Sequence, residues 1–147
     1  MSQEYRLTAR LTQHWDMIRK DKELPDIHHL RPDVIDDLWQ QCVMIGINVG
    51  TQENTSYKYE YMAPGLAEAY GRDMTGTQVD VRMKQFPGSV LTSKLKDVIA
   101  NKKPAEDQGA FVNEQGKTVK YRASFLPFGN DSKGLTHVVV GLSYRLF

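Results

Sequence analysis

The closing segment, from Lys117 onward, limits the fold more than any other part of the chain. Within Lys117–Phe128, Val119, Tyr121, Ala123 and Phe125 alternate with Lys120, Arg122 and Ser124. After a stretch of turn residues, Gly129–Gly134, the positions Val138, Val140, Leu142, Tyr144 and Leu146 keep the same period of two. Such alternation sends one set of side chains to each face of a sheet. No crossover helix fits between the two runs, so they must pair antiparallel. A shorter strand, Ala110–Asn113, leads into them through Glu114-Gln115-Gly116.

Two more strands lie earlier. Cys42–Val49 is rich in Val, Ile and Met and reads as a buried strand. Gly50–Thr55 is a loop. Ser56–Met62 follows, with Tyr57, Tyr59 and Tyr61 alternating with Lys58 and Glu60, and the pair reads as a hairpin. Pro64–Tyr70 is a short helix stopped by Gly71. The chain is then irregular to Pro87. Ser89–Asn101 has a helical apolar side in Val90, Leu91, Leu95, Val98 and Ile99, ended by Pro104. At the N-terminus, Leu7, Leu11, Trp15 and Ile18 form one stripe of an amphipathic helix over Gln3–Lys22, with Pro25 as the break. A second helix is expected from Pro32 to about Gln41.

These elements make an α+β chain: a five-stranded antiparallel sheet with short helices on one face and an N-terminal helical extension. The expected organisation is an extension over 1–41 and a sheet domain over 42–147, folding as one unit. A length of 147 residues fits one core. The net charge of +1 lacks the basic excess of a nucleic-acid binder and leaves little repulsion between copies. One cysteine, Cys42, forms no internal disulfide. Met1–Arg10 is charged and lacks the apolar stretch of a leader, and no apolar run approaches the ~20 residues of a membrane span. A cytoplasmic protein with no membrane partner is the expectation.

The element order resembles that of PAS domains, and particular residues add to the likeness. From Met62 to Gly76, the short helix, Tyr70-Gly71, Asp73 and the closing Gly76 are similar to the PAS stretch after the second strand. Tyr121–Phe128 and Leu135–Tyr144, with Leu126-Pro127 and Val140-Gly141, resemble the last two PAS strands. Trp15, Leu24-Pro25 and Pro32 look like short bacterial proteins made of a lone PAS domain. The resemblance covers about Trp15 to Tyr144. It implies a regulatory module that senses a small ligand or docks a protein, acting through a separate signalling protein and pairing with itself.

A ligand of such a module would sit between sheet and helices, against Tyr59, Tyr70, Met83, Phe86, Leu91, Phe111, Phe125 and Val140. The same residues could simply fill the core. Arg122 is the polar candidate, since a buried cation on a central strand needs an acidic or ligand partner; exposure on the outer face is its other reading. Asp73 is a loop anchor or a ligand contact. The stripe of Leu7, Leu11, Trp15 and Ile18 covers the outer face of its own sheet, forms a dimer seam, or does both.

No catalytic residue and no cofactor is expected. His14, His28, His29 and His137 show no metal-ligand spacing, and no nucleophile elbow or phosphate loop is present. The helix Ser89–Asn101 lacks the histidine that haem-binding PAS domains carry. The segment after the short helix lacks the reactive cysteine of flavin-binding relatives. Cys42 reads as a small buried hydrophobe. Two rival readings stand beside the regulator. A cone-shaped α+β isomerase or dehydratase would need Asp80 or His137 as a base inside the cone. A nucleic-acid module would use Arg6, Arg10, Arg19, Lys20 and Lys22, which a solvated helix face explains equally well.

Overall fold

The computed structural model describes residues 3–49, 55–79, 94, 97–98 and 100–147. Among these, five strands form one sheet: β1 (Cys42–Val49), β2 (Thr55–Met62), β3 (Ala105–Val112), β4 (Thr118–Asn130) and β5 (Gly134–Leu146). Their order is β2-β1-β5-β4-β3, and every neighbouring pair is antiparallel. The helices are α1 (Gln3–Arg19), α2 (Asp36–Trp39) and α3 (Pro64–Tyr70), with a 3-10 turn at Ile27–His29. The expected α+β class and antiparallel sheet are observed.

Element bounds differ most from expectation at three places. Helix α1 stops at Arg19, because Lys20 turns left-handed at φ 57. The second helix shrinks to Asp36–Trp39, with residues 32–35 in turns. Strand β3 begins at Ala105 rather than Ala110. Its first residues are polar and lie on a sheet edge, so no apolar alternation announces them. Beyond α3, the described Lys94, Asp97, Val98, Ala100 and Asn101 are helical. Val90, Leu91, Leu95 and Ile99 lie outside the described residues.

Period two divides the sheet into two apolar faces. On the inner face Val43, Ile45, Tyr59, Phe111, Val119, Tyr121, Ala123, Phe125, Val138, Val140 and Leu142 pack with Leu66, Ala69 and Tyr70 of α3. On the outer face Cys42, Leu126, Phe128 and Val139 pack under Leu7, Leu11 and Trp15 of α1 and Leu38 of α2. This layer draws on both sides of the boundary expected at residue 41.

The stripe of α1 is therefore spent on the chain's own sheet. Leu7, Leu11 and Trp15 are buried there, and Ile18 is partly buried against the same layer. Burying each such side chain stabilises by roughly 1.5–3 kcal/mol. Leu7, Leu11 and Trp15 thus serve the chain's own sheet, which corrects their place in a seam with a second copy, while Ile18 stays partly exposed. Two features seat the helix. Gly141 leaves room on β5, where an added Cβ would overlap Leu11 Cδ1. The Trp15 indole N–H donates to the Pro127 carbonyl at 2.6 Å. Pro127 lies past the end of the β3 pairing, which stops at Phe125, so its missing N–H costs no ladder bond on that side.

The β3–β4 turn docks on the end of α3. The Asn113 side chain donates to the Ala69 carbonyl at 3.2 Å and accepts from the backbone of Gln115 and Lys117. Gln115 donates to the Gly71 carbonyl at 3.2 Å. These bonds satisfy helix-end carbonyls that have no partner inside α3. Asn113 is buried, so Asn113→Ala is expected to cost about 2–3 kcal/mol, read from urea midpoints.

His14 is buried on α1, and neither ring nitrogen has a hydrogen-bond partner. Burial first, then the charge of Arg31, holds its pKa below the ordinary 6.5, with Asp33 opposing. The folded chain thus binds this proton less readily than the unfolded chain. Stability holds above about pH 6.5 and falls as pH drops below it. His14→Leu should flatten that slope in denaturation curves taken between about pH 8 and pH 5.

Candidate functional site

The inner face brings together five of the residues expected to line a pocket. Tyr59 comes from β2, Tyr70 from the end of α3, Phe111 from β3, Phe125 from β4 and Val140 from β5. Met83, Phe86 and Leu91 lie outside the described residues. The rings meet edge to face: Tyr59 and Tyr70 at 6.1 Å between centroids, Tyr70 and Phe111 at 6.0 Å. Phe111 then meets Tyr121 at 5.9 Å. This is the offset geometry that aromatic quadrupoles favour.

Tyr121 extends the cluster beyond the expected set. Its hydroxyl donates to Asp107 Oδ2 at 2.7 Å. Gly109 lies beside it, and an added Cβ there would stand 3.2 Å from the hydroxyl. Strand alternation placed Tyr121 on this face, but no pattern marked its partner on the polar edge strand. Burial pushes the Tyr59 and Tyr70 hydroxyls up, and at Tyr121 burial is joined by the bond to Asp107. All three phenols stay neutral near pH 7. They set polar groups into an apolar wall, with the Tyr121 hydrogen already given to Asp107, and supply no nucleophile.

Arg122 is not part of this cluster, which corrects its place among the pocket residues. It sits one residue out of phase with Tyr121 and Ala123 and faces outward, its guanidinium donating to Gln108 at 3.0 Å. With Lys120, Ser143 and Arg145 it lines an open groove on the sheet. Asp73 has the anchoring role: its carboxylate accepts from the Thr75 N–H at 3.0 Å and the Thr75 hydroxyl at 2.7 Å, and that hydroxyl accepts from the Met62 N–H. Gly76 is needed for its φ of 87° rather than for a close approach, since an added Cβ would meet nothing within 4 Å.

His137 lies on the outer face. The pairing of β1 with β2 shifts between Met44 and Ile45, a bulge that turns Glu60 and Tyr61 outward. Tyr61 stacks on Trp39 at 5.2 Å instead of joining Tyr57 and Tyr59. Glu60 crosses Gly46, whose missing side chain leaves the space, and reaches His137 Nε2 at 3.3 Å. The histidine proposed as a base inside a cone therefore stands on the wrong side of the sheet. Asp80 lies outside the described residues. Among the described residues, no three His, Cys, Asp or Glu side chains converge on a metal position, and no helix is long and apolar enough to cross a membrane.

No family model matches the chain, and no curated protein matches it. Solved structures do. The light-state structure of the blue-light photoreceptor Aureochrome1 LOV is similar over 77% of this chain and 87% of its own, with a TM-score of 0.53 and 13% identity. A light-oxygen-voltage domain studied with a flavin analogue gives a TM-score of 0.55 at 10% identity, over 77% and 82% of the two chains. A fungal LOV-domain photoreceptor gives 0.50 at 15%, over 71% and 72%.

Cys42, the chain's single cysteine, lies in the outer-face layer with its thiol against the Leu38 carbonyl, and burial pushes its pKa up to about 12. What the neighbours share with this chain is architecture: it is folded as a PAS domain, in the form seen in LOV domains.

Proposed function

We propose that this chain is a regulatory module of the sensing or protein-docking kind, without catalytic activity of its own. In this reading a small, largely apolar ligand with one polar handle enters the inner face. Phe111, Phe125 and Val140 take its body, and the hydroxyl of Tyr59, Tyr70 or Tyr121 takes the handle. The chain associates with a second copy and passes its state to a separate signalling protein. The observation that carries the reading is the tyrosine-lined cluster under α3, an apolar wall with neutral hydroxyls on a PAS-type sheet. Apolar walls with few placed polar groups are what small-molecule sites require. Folds alone do not assign function, so the test must read ligand and assembly directly. Native mass spectrometry of the purified protein does this. A dimer carrying the mass of a retained small molecule is the expected result; a bare monomer contradicts both halves of the proposal.

A further inference from the structure

The sheet has two edge strands, β2 and β3. Along β2 the segment after Met74 serves as cover. The Tyr59 N–H donates to the Thr77 carbonyl at 2.9 Å, the Val79 N–H to the Tyr57 carbonyl at 2.8 Å and the Gly76 N–H to the Tyr59 carbonyl at 2.7 Å. The first part of β3 has no such cover. The Asn113 N–H donates to the Lys117 carbonyl at 2.9 Å, and this pair continues the register in which Ala105 faces Phe125. Ladder bonds alternate along an antiparallel strand. Asp107, Gly109 and Phe111 therefore bond to β4, while Glu106, Gln108 and Ala110 turn their backbone groups away from it. All three are exposed, and those N–H and C=O groups have no partner among the described residues.

Edges left open are usually blunted by lysine, proline or a bulge. None of these interrupts β3: Ala105–Val112 contains no Lys or Pro, and its pairing with β4 runs without a shift. Its one acid on the inner face, Asp107, is drawn back onto the Tyr121 hydroxyl at 2.7 Å. The open stretch is also complementary to itself. A second copy laid antiparallel about a two-fold axis at Gln108 sets Glu106 against the partner's Ala110 and Asp107 against the partner's Gly109. Gln108 meets its own equivalent. Each acid then faces a residue with little or no side chain, and no like charges stand opposite one another. At the ends, Lys102 and Lys103 of each copy approach the partner's Glu114.

We propose that the open edge of β3 is the surface by which this chain pairs with a second copy, joining two sheets into one antiparallel sheet across an axis at Gln108. Glu106, Gln108 and Ala110 each exchange both backbone bonds with the partner's Ala110, Gln108 and Glu106. This rests on the self-association proposed above and gives it a place, since Leu7, Leu11 and Trp15 of α1 lie on their own sheet. The net charge of +1 adds little repulsion between copies.

Disulfide trapping of Gln108→Cys tests the register, and sedimentation of Ala110→Pro tests the edge. The native Cys42 is fully buried, so an introduced surface thiol reacts alone. Across the axis the two Cα atoms of residue 108 lie about 5.5 Å apart, within disulfide reach. Those of residue 106 lie roughly 13 Å apart along the strands. With diamide as oxidant, Gln108→Cys should run as a covalent dimer on a non-reducing gel, and Glu106→Cys should not. Ala110→Pro removes an N–H that β4 does not use, so its far-ultraviolet circular dichroism should match the parent's. Its dimer dissociation constant should rise at least about tenfold, because the symmetric joint loses two backbone bonds. The cysteine pair stands whether or not the proline variant folds. A parent that sediments as a monomer, the outcome if β3 takes a strand from a different protein, overturns both this pairing and the self-association. A dimeric parent whose Ala110→Pro variant associates as tightly, or equal cross-linking of the two cysteine variants, overturns the edge pairing alone.

Discussion

Trp15→Ala is expected to destabilise the folded chain by about 3–5 kcal/mol, one of the two largest effects of any single change considered. The indole is buried between α1 and the sheet, and its N–H satisfies the Pro127 carbonyl. Removing it leaves a cavity and an unpaired acceptor together. Trp15→Phe keeps most of the apolar contact and loses the hydrogen bond, so it should cost roughly 1–3 kcal/mol. Urea denaturation of the two variants separates these contributions. If α1 were loosely attached, both would lie within about 0.5 kcal/mol of the parent, as exposed positions do.

Phe125→Ala should also cost about 3–5 kcal/mol, and should do something Trp15→Ala does not. Phe125 is among the largest fully buried side chains, on the inner face with Tyr59, Tyr70 and Phe111. Its removal opens an apolar space in the middle of the candidate ligand region. Such spaces stay dry and admit small apolar molecules. Benzene should therefore raise the melting temperature of Phe125→Ala by more than it raises the parent's. A variant as stable as the parent would mean that this face is not packed as described.

Much of the architecture is legible in the residues because period two cannot be satisfied by accident over long runs. Strand β1 and helix α3 fall where Cys42–Val49 and Pro64–Tyr70 placed them. Gly71 ends α3 at φ 95, as its position after Tyr70 required. The larger misses share a cause: they depend on a partner distant in sequence. Tyr61 leaves the face of Tyr59 because a bulge intervenes, and a bulge has no periodic signature. The first half of β3 pairs through its backbone while its side chains stay polar. A stripe alone does not tell that α1 covers its own sheet; Gly141 and Pro127, more than a hundred residues away, show that it does. His14 is similar, since its isolation arises from the fold around it rather than from its neighbours in sequence.

The account stands on a sheet with an aromatic inner face under α3 and a separate outer face under α1. Proton–proton NOE spectroscopy of the aromatic side chains tests this most directly. Cross-peaks are expected from Tyr59 to Tyr70, from Tyr70 to Phe111, and from Phe111 to Tyr121, with Trp39 and Tyr61 forming a second, unconnected set. Cross-peaks from Trp15 to Tyr59 or Tyr70 would contradict it, because they would put α1 on the same side of the sheet as the site.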